Sequence, residues 1–206
     1  MRTTNKSKNI MEATMQIVAE QGLTALSTRL AARRAGVSDG LMYRFFESKD
    51  ELLYACFESV HREIAGLFDG MTEELAAKGL MNEKADPSQL MHVIWEKYFR
   101  FLIQNGYKTL FYFEYRNSSY IKQIQERDED ARATYFGGFM GIMNLAEEMF
   151  HFEGKISEAV LWSYILDTSG MFAGRIIRGE LPDTEETITQ VWQLMGSGLN
   201  GLFTEN

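Results

Sequence analysis

The fold is decided by residues 27–52, which read STRLAARRAGVSDGLMYRFFESKDEL. Ser27 and Ser38 can each begin a short helix, because a serine hydroxyl accepts a hydrogen bond from a free N–H group of the first turn. Gly36 lies between the two helices, where the chain must turn sharply, and glycine adopts such a backbone at little steric cost. The small side chain of Ala32 lets the helices cross closely. The pattern therefore predicts two short helices joined by a tight turn.

The second of these helices ends near Phe46 and is too short to be a core element. It nevertheless carries polar or aromatic tips at Ser38, Tyr43 and Arg44. A short helix that is braced by two others fits the major groove of DNA, which is about 12 Å wide. We therefore expect this helix to enter the groove of a duplex.

The stretch resembles the N-terminal domain of the tetracycline-repressor (TetR) family. The shared pattern is an alanine, two variable residues, Ala-Gly-Val-Ser, a glycine two positions on, then Tyr-x-x-Phe and Ser-Lys-x-x-Leu. The matching positions are Ala32, Ala35 to Ser38, Gly40, Tyr43, Phe46, Ser48, Lys49 and Leu52. The resemblance covers about residues 5–60 and implies a DNA-binding transcriptional regulator rather than an enzyme.

Carried over position by position, the resemblance implies a set of DNA contacts. The residues expected at phosphates from the start of the second helix are Ser27, Thr28 and Arg29. The residues expected at base edges are Ser38, Asp39, Gly40 and Leu41. Tyr43 is expected at a phosphate, Arg44 at a phosphate or a base, and Lys49 at the DNA backbone. Asp39 and Leu41 depart from the commonest residues of the family, so the bases that are read stay open.

Helical periodicity extends outward from this stretch in both directions. An amphipathic helix before it ends at Gly22, and Ser48 begins a fourth helix over about 49–70. A loop follows at 79–88. Further helices are predicted at about 88–104, 107–123, 128–152, 157–179 and 184–203. The chain is therefore predicted to be all-α, with about nine helices that form an N-terminal three-helix helix-turn-helix head and a larger C-terminal helical bundle.

Charge divides the chain in the same way as this domain organisation. The overall net charge is −8. Residues 1–49 hold 8 Lys and Arg against 4 acidic residues, whereas residues 50–206 hold 13 against 25. A basic head on an acidic body directs phosphates to one end. We expect a DNA-binding head over residues 1–50, a linking helix over 49–70, and a ligand-sensing and dimerisation domain over 71–206.

Compartment and cofactors are indicated only weakly by the sequence. The single cysteine, Cys56, excludes an internal disulfide and fits a reducing cytoplasm. Its apolar neighbours favour a buried thiol over a redox role. No signal peptide and no apolar run of about 20 residues are visible, so no membrane association is expected. No cofactor is expected.

The region from Trp95 to Tyr120 holds ten aromatic residues among 26. They can fill a core or line an apolar pocket, and the family resemblance favours a site for a small-molecule effector. Arg116 is a further possible polar anchor. The candidate ligand-binding residues are Trp95, Tyr98, Phe99, Tyr112, Phe113, Glu114, Asn117, Asn144 and Asp167.

The last two predicted helices carry stripes that favour a homodimer, in which two helices from each subunit form a four-helix bundle. The alternative is that the same stripes pack within one subunit. The candidate interface residues are Leu166, Gly170, Ala173, Gly174, Ile177, Val191, Met195, Leu199 and Leu202.

The function implied by the resemblance is a repressor that leaves a palindromic operator when a small, largely apolar inducer binds. One alternative is a di-iron carboxylate bundle, because Glu58 and His61, like Glu148 and His151, have the Glu-x-x-His spacing. That alternative leaves residues 27–52 unexplained. A second alternative is a DNA-binding head on a body that senses no small molecule.

Overall fold

The computed structural model describes residues 2–82, 85–120 and 156–203, and in these ranges the chain is helical with no strand. The helices are α1 (Arg2–Gln21), α2 (Thr28–Arg34), α3 (Asp39–Phe45), α4 (Lys49–Gly66), α5 (Met71–Ala77), α6 (Pro87–Gln104), α7 (Gly106–Arg116), α8 (Glu158–Ile177) and α9 (Glu185–Phe203), with a 3-10 turn at Leu23–Ala25 between α1 and α2. The prediction of an all-α chain is confirmed. The predicted helix over 128–152 lies outside the described residues.

The described chain divides into two compact units. Unit 1 contains residues 2–63 and 105–120, and unit 2 contains residues 64–82, 85–104 and 156–203. α7 therefore groups with the helix-turn-helix elements, whereas the sequence analysis places it in the C-terminal domain. α4 begins in unit 1, and its last three residues belong to unit 2.

Three serine caps define the starts of the helices that follow α1, as the sequence predicts. The Ser27 Oγ accepts from the N–H of Leu30 at 3.1 Å, and the Ser38 Oγ accepts from the N–H of Leu41 at 3.3 Å. The Ser48 Oγ accepts from the N–H of Glu51 at 3.0 Å at the start of α4. Each cap satisfies an N–H group that the helix itself leaves without a partner.

The turn between α2 and α3 is made by Gly36, whose φ is +66°. Ala31 and Ala32 have no exposed surface, so α2 presents methyl groups where the neighbouring helices approach. Met42 of α3 is likewise fully buried. The small residues of α2 thus let the short α3 reach the core of unit 1 through one side chain.

The rest of the core of unit 1 comes from α1, α4 and α7. Its fully buried side chains include Ile10, Ile17, Leu52, Leu53 and Phe111. α1 packs extensively against α7. Cys56 is also fully buried, and burial raises the pKa of its thiol, because the thiolate would lose its hydration. This confirms the expectation of a buried thiol.

In unit 2, α6 packs against both α8 and α9. Trp95 of α6 stacks on Phe99 with ring centroids 4.7 Å apart, and its indole Nε1 donates to the Ser169 Oγ at 3.0 Å. Arg100 of α6 makes a two-pronged ion pair with Glu185 at the start of α9, with N···O distances of 2.8 and 2.6 Å. α6 is therefore the central helix of the described part of unit 2.

Two helix boundaries differ from those predicted. α4 ends at Gly66 rather than near residue 70, and the unpredicted α5 begins after Gly70, whose φ is +71°. Leu67 and Phe68 lie in a tight turn between these helices, so the apolar stripe of α4 continues past the end of the helix. α7 ends at Arg116 and is followed by a turn, whereas the sequence predicts a helix to residue 123.

No helix among the described residues is long and apolar enough to cross a membrane.

Replacing Gly36 and Gly40 by alanine should have opposite effects on stability. A Cβ atom at either position meets no atom within 4 Å, so the backbone alone decides the result. Gly36→Ala should lower the free energy of unfolding by about 1–2 kcal/mol, because its positive φ disfavours a side chain. Gly40→Ala, inside α3, should raise it by up to about 0.5–1 kcal/mol. Urea unfolding monitored by circular dichroism measures both values, and equal effects of the two substitutions would contradict this account of the turn.

Candidate nucleic-acid interface

Thr28, at the start of α2, is linked to Tyr43 in α3. The Thr28 Oγ1 and the Tyr43 hydroxyl are 3.2 Å apart and share a hydrogen bond. Tyr43 is 54% exposed and is one of four large apolar side chains that are exposed among the described residues. Both hydroxyl groups thus lie on the same exposed side of the helix-turn-helix, where each retains capacity for a phosphate oxygen.

A second side-chain pair joins the same two helices. The Arg29 Nε lies 3.5 Å from the Asp39 Oδ2, and the two side chains are 88% and 54% exposed. An ion pair this exposed contributes little stability. Its consequence is electrostatic, because the carboxylate offsets the charge of an arginine that the sequence assigns to a DNA phosphate.

The residues at the beginning of α3 are exposed to solvent. Ser38, Asp39 and Gly40 are all exposed, and Leu41 is half-buried. The Ser38 Oγ caps the helix, so the polar atoms left for base edges come from the side chain of Asp39 and from the backbone. Arg44 is exposed near the end of the same helix. The predicted base-contacting residues therefore form one continuous exposed edge.

Lys49 begins α4 and is half-buried. Its Nζ donates to the backbone oxygen of Leu23 at 3.2 Å, in the turn between α1 and α2. An ammonium group has three donors, so this bond leaves others for a DNA phosphate. No local sequence pattern indicates the contact with Leu23, because the partner is a backbone atom 26 residues away.

An apolar cavity of about 20 Å³ lies in unit 2. Its lining residues are Phe68, Met91, Ile94, Trp95, Tyr98, Ile165, Leu166 and Leu199. Trp95 and Tyr98 are two of the predicted ligand-binding residues. Phe99 packs beside Trp95 with no exposed surface, so it supports this wall from behind.

The other predicted ligand-binding residues do not line this cavity. Four of them, Tyr112, Phe113, Glu114 and Asn117, belong to unit 1, because α7 packs on α1. The Tyr112 hydroxyl lies 2.9 Å from the His61 Nδ1, and the Glu114 Oε1 accepts from the N–H of Leu23 at 2.6 Å. Asp167 is exposed on α8, and Asn144 lies outside the described residues.

Comparison with known proteins gives the same interpretation of the head. Residues 10–56 match the family model described as "Bacterial regulatory proteins, tetR family". A TetR family transcription regulator from Marinobacter aquaeolei VT8 has the same fold, with a TM-score of 0.72, 19% identity, and coverage of 96% of this chain and 97% of that chain. A TetR-family transcriptional regulator from Haemophilus influenzae Rd has a TM-score of 0.63 and 20% identity over the same shares.

Residues 10–56 are therefore assigned to the TetR family, and the chain as a whole has the fold of the solved TetR-family regulators.

FadR from Bacillus subtilis, solved in complex with stearoyl-CoA, also shares the fold. Its TM-score is 0.60 and its identity is 20%, with 93% of this chain and 98% of that chain covered. The family match identifies residues 10–56 as the DNA-binding part of a transcriptional regulator.

The residues that the sequence assigns to a TetR-type dimer interface are mostly buried inside one chain. Ala173, Val191, Met195 and Leu199 are at most 3% exposed, and Leu166 and Leu199 line the cavity. Gly170 and Gly174 are buried as well, Ile177 is half-buried, and Leu202 lies outside the described side chains. A stripe of small residues also suits packing within a subunit, so the assignment of these residues to a dimer interface stays a prediction.

Close packing between α8 and α9 explains part of the burial of these residues. A Cβ atom added at Gly198 of α9 would lie 2.6 Å from the Tyr164 hydroxyl of α8, and that hydroxyl donates to the backbone oxygen of Met195 at 3.2 Å. The outward face of these helices instead carries Val160, Met171 and Leu194, which are 56%, 49% and 66% exposed.

The di-iron alternative gains no support from the described residues. Glu58 pairs with Arg62, and the His61 ring contacts Tyr112. Within residues 2–82, 85–120 and 156–203 there is no group of three or more metal-ligating side chains. Glu148 and His151 lie outside the described residues.

Asp39→Asn should strengthen binding to a duplex that lacks the preferred sequence, where phosphate contacts supply nearly all of the affinity. The substitution keeps the shape of the side chain, removes a charge that repels phosphates, and releases Arg29 from its ion pair. The slope of log affinity against log salt should become steeper by about one unit per subunit. Fluorescence anisotropy between about 50 and 200 mM salt measures this slope.

A matched substitution, Glu186→Gln, removes one exposed acid on α9 and should leave the slope unchanged. If Asp39→Asn instead weakens binding at an unchanged slope, then Asp39 makes a favourable contact with DNA, and the electrostatic interpretation of its pair with Arg29 is wrong.

Proposed function

We propose that this TetR-family protein is a repressor that binds a palindromic operator as a homodimer and leaves it when a largely apolar effector enters unit 2. The proposal that the protein binds DNA is supported by the exposed edge that the starts of α2 and α3 form. The hydrogen bond between Thr28 and Tyr43 links the two helices of this edge before any duplex is present. An edge prepared in this way loses less conformational freedom on binding.

The roles proposed for individual residues follow from their positions along this edge. Thr28, Arg29, Tyr43 and Lys49 carry hydroxyl or cationic groups that suit phosphates. Asp39 and Leu41 begin α3 and suit base edges, where a carboxylate accepts from a cytosine amine and a leucine packs on a thymine methyl group. Ser27, Ser38, Gly40 and Arg44 complete the proposed DNA contacts.

The dimer is supported by the exposed apolar face of α8 and α9. Val160, Met171 and Leu194 are the exposed large apolar side chains of the described part of unit 2, and all three lie on these two helices. Pairing this face with its copy would remove them from water and form a four-helix bundle. Two heads spaced about 34–36 Å apart can then enter successive major grooves on one side of a palindrome.

Leu194→Glu should convert the dimer into monomers, because the substitution places a charge on the proposed apolar face. Sedimentation velocity measures the change in mass, and affinity for a palindromic duplex should fall in parallel. Gln89→Glu introduces the same charge at an exposed position of α6 and should leave the dimer intact. A dimer that persists in Leu194→Glu and in Met171→Glu would exclude this face as the interface.

The effector is proposed to be a long acyl chain carried on a polar group. The cavity of unit 2 is lined by apolar and aromatic side chains, and FadR of Bacillus subtilis was solved with stearoyl-CoA. At about 20 Å³ the cavity holds roughly one water, so an acyl chain must displace side chains as it enters. Such displacement is what couples binding to a change of conformation.

The proposed route from effector to DNA runs through α4. Phe68 lines the cavity and follows the last residue of α4, Gly66, by two positions. α4 begins at Lys49, beside the proposed DNA contacts. For operator occupancy to fall from 99:1 to 1:99, the effector must bind the released form about 10⁴-fold more tightly. A regulator of transcription works beside the chromosome, so we place the protein in the cytoplasm.

Stearoyl-CoA should raise the melting temperature and release the protein from a duplex that it selects from a random pool. At one hundred times its Kd, a ligand stabilises a protein by about 2.7 kcal/mol, which corresponds to several degrees. Leu166→Phe fills the cavity and should abolish both effects while leaving DNA affinity unchanged. Ile103→Phe, on α6 but away from the cavity lining, serves as the matched control.

The alternative of a body that senses no small molecule makes a different prediction for the same samples. The wild-type protein would bind its selected duplex, and neither stearoyl-CoA nor free fatty acids would shift its melting temperature or its DNA affinity. If the wild-type protein selects no duplex at all, the DNA-binding proposal itself fails.

A further inference from the structure

Leu23, in the turn between α1 and α2, is held by charged side chains from two other helices. Its N–H group donates to the Glu114 Oε1 of α7 at 2.6 Å. Its backbone oxygen accepts from the Lys49 Nζ of α4 at 3.2 Å. Hydrogen bonds to charged groups are stronger than those between neutral groups. We call this arrangement of Glu114, Leu23 and Lys49 the Leu23 clasp.

The backbone beside Leu23 accommodates the Glu114 carboxylate closely. Gly22 has a φ of +84°, and a Cβ atom at this position would lie 3.3 Å from the Glu114 Oε1. A side chain at residue 22 would therefore be strained by the backbone and crowded by the carboxylate. The turn between α1 and α2 is shaped so that an acceptor from α7 can reach its N–H group.

Glu114 itself is fixed by the packing of α7. Lys108, two turns earlier on the same helix, makes an ion pair with Glu63 of α4 at 2.6 Å. The Tyr112 ring stacks on Phe57 of α4 at a centroid distance of 4.9 Å, with the two planes only 4° apart. These contacts, together with the packing of α7 on α1, hold the carboxylate in place against the turn.

Lys49, the third residue of the Leu23 clasp, is a proposed DNA contact. Lys49 is a long, flexible cation, and an unrestrained lysine loses rotamer freedom when it binds a phosphate. Its bond to the Leu23 oxygen removes part of that freedom in advance. Since the position of that oxygen depends on the bond between Leu23 and Glu114, the carboxylate on α7 sets where the ammonium group lies.

We propose that Glu114 is a positioning residue for DNA binding, which acts through the backbone of Leu23 to place Lys49 against a phosphate. This inference rests on the proposed function, because it requires Lys49 to contact DNA. It gives Glu114 a role opposite to what its charge alone suggests. An acid near a DNA-binding surface ordinarily weakens binding, whereas here the acid supports it.

The test compares Glu114→Ala and Glu114→Gln on the full-length protein, with the duplex that the wild type selects from a random pool. Glutamine removes the charge but keeps an oxygen that can accept from Leu23, whereas alanine removes both. Glu114→Ala should weaken binding about tenfold near 0.1 M salt and flatten the salt slope by about one unit per subunit. Glu114→Gln should retain most of the affinity and the slope of the wild type.

A double-mutant cycle with Lys49→Ala tests the route through the clasp. Lys49→Ala should flatten the slope by a similar amount, and adding it to Glu114→Ala should have little further effect, because the phosphate contact is already lost. Lys78→Ala removes an exposed lysine, and its ion pair with Glu74, from unit 2 and changes neither Leu23 nor α7. It serves as the matched control and should leave the slope unchanged. Thermal unfolding of every variant shows whether it is folded.

The outcomes separate the inference from the proposed function. If both Glu114 variants bind more tightly than the wild type, the charge acts only by repulsion and the inference is overturned. It is also overturned if Glu114→Ala lowers the melting temperature but keeps the slope and the full effect of Lys49→Ala, since Glu114 then supports only the fold. If the wild type itself selects no duplex, the proposed function fails before the variants are compared.

Discussion

The close crossing of α2 and α3 is the constraint on which the rest of unit 1 depends. Ala31 and Ala32 remove all bulk from the inner side of α2, and Gly36 makes the turn with a φ of +66°. α3 has seven residues, too few to be stable alone. It is held by the buried Met42 and by its serine cap, and its other side chains are exposed or half-buried. The exposed edge that suits DNA follows from this arrangement.

The caps and turns of the head could be predicted because their determinants are local. Ser27, Ser38 and Ser48 each bond an N–H group three residues ahead, and Gly36 adopts a conformation that other residues avoid. The end of α4 could not be located in the same way. Its apolar stripe continues through a tight turn at Phe68, and a periodic pattern does not show where hydrogen bonding along the helix stops.

The contacts of the body were harder to predict because they join distant parts of the chain. Glu114 lies 91 residues from Leu23, and nothing in either local sequence indicates their bond. The stripe of small residues on α8 permits close approach of another helix, but a stripe cannot say whether that helix belongs to the same chain. Within the described chain α8 packs against both α6 and α9. The aromatic residues from Trp95 to Tyr120 belong to two units, and a local run of aromatic residues does not show which helices each of them packs against.

The central claim is that the starts of α2 and α3 form the surface that receives DNA. Amide hydrogen exchange, measured with and without an excess of the duplex selected by the wild type, tests it most directly. The account predicts new protection concentrated in residues 27–30 and 38–44, with little change in α6 and α9. Protection confined to unit 2, or no change in residues 38–44 while the duplex is demonstrably bound, would contradict it.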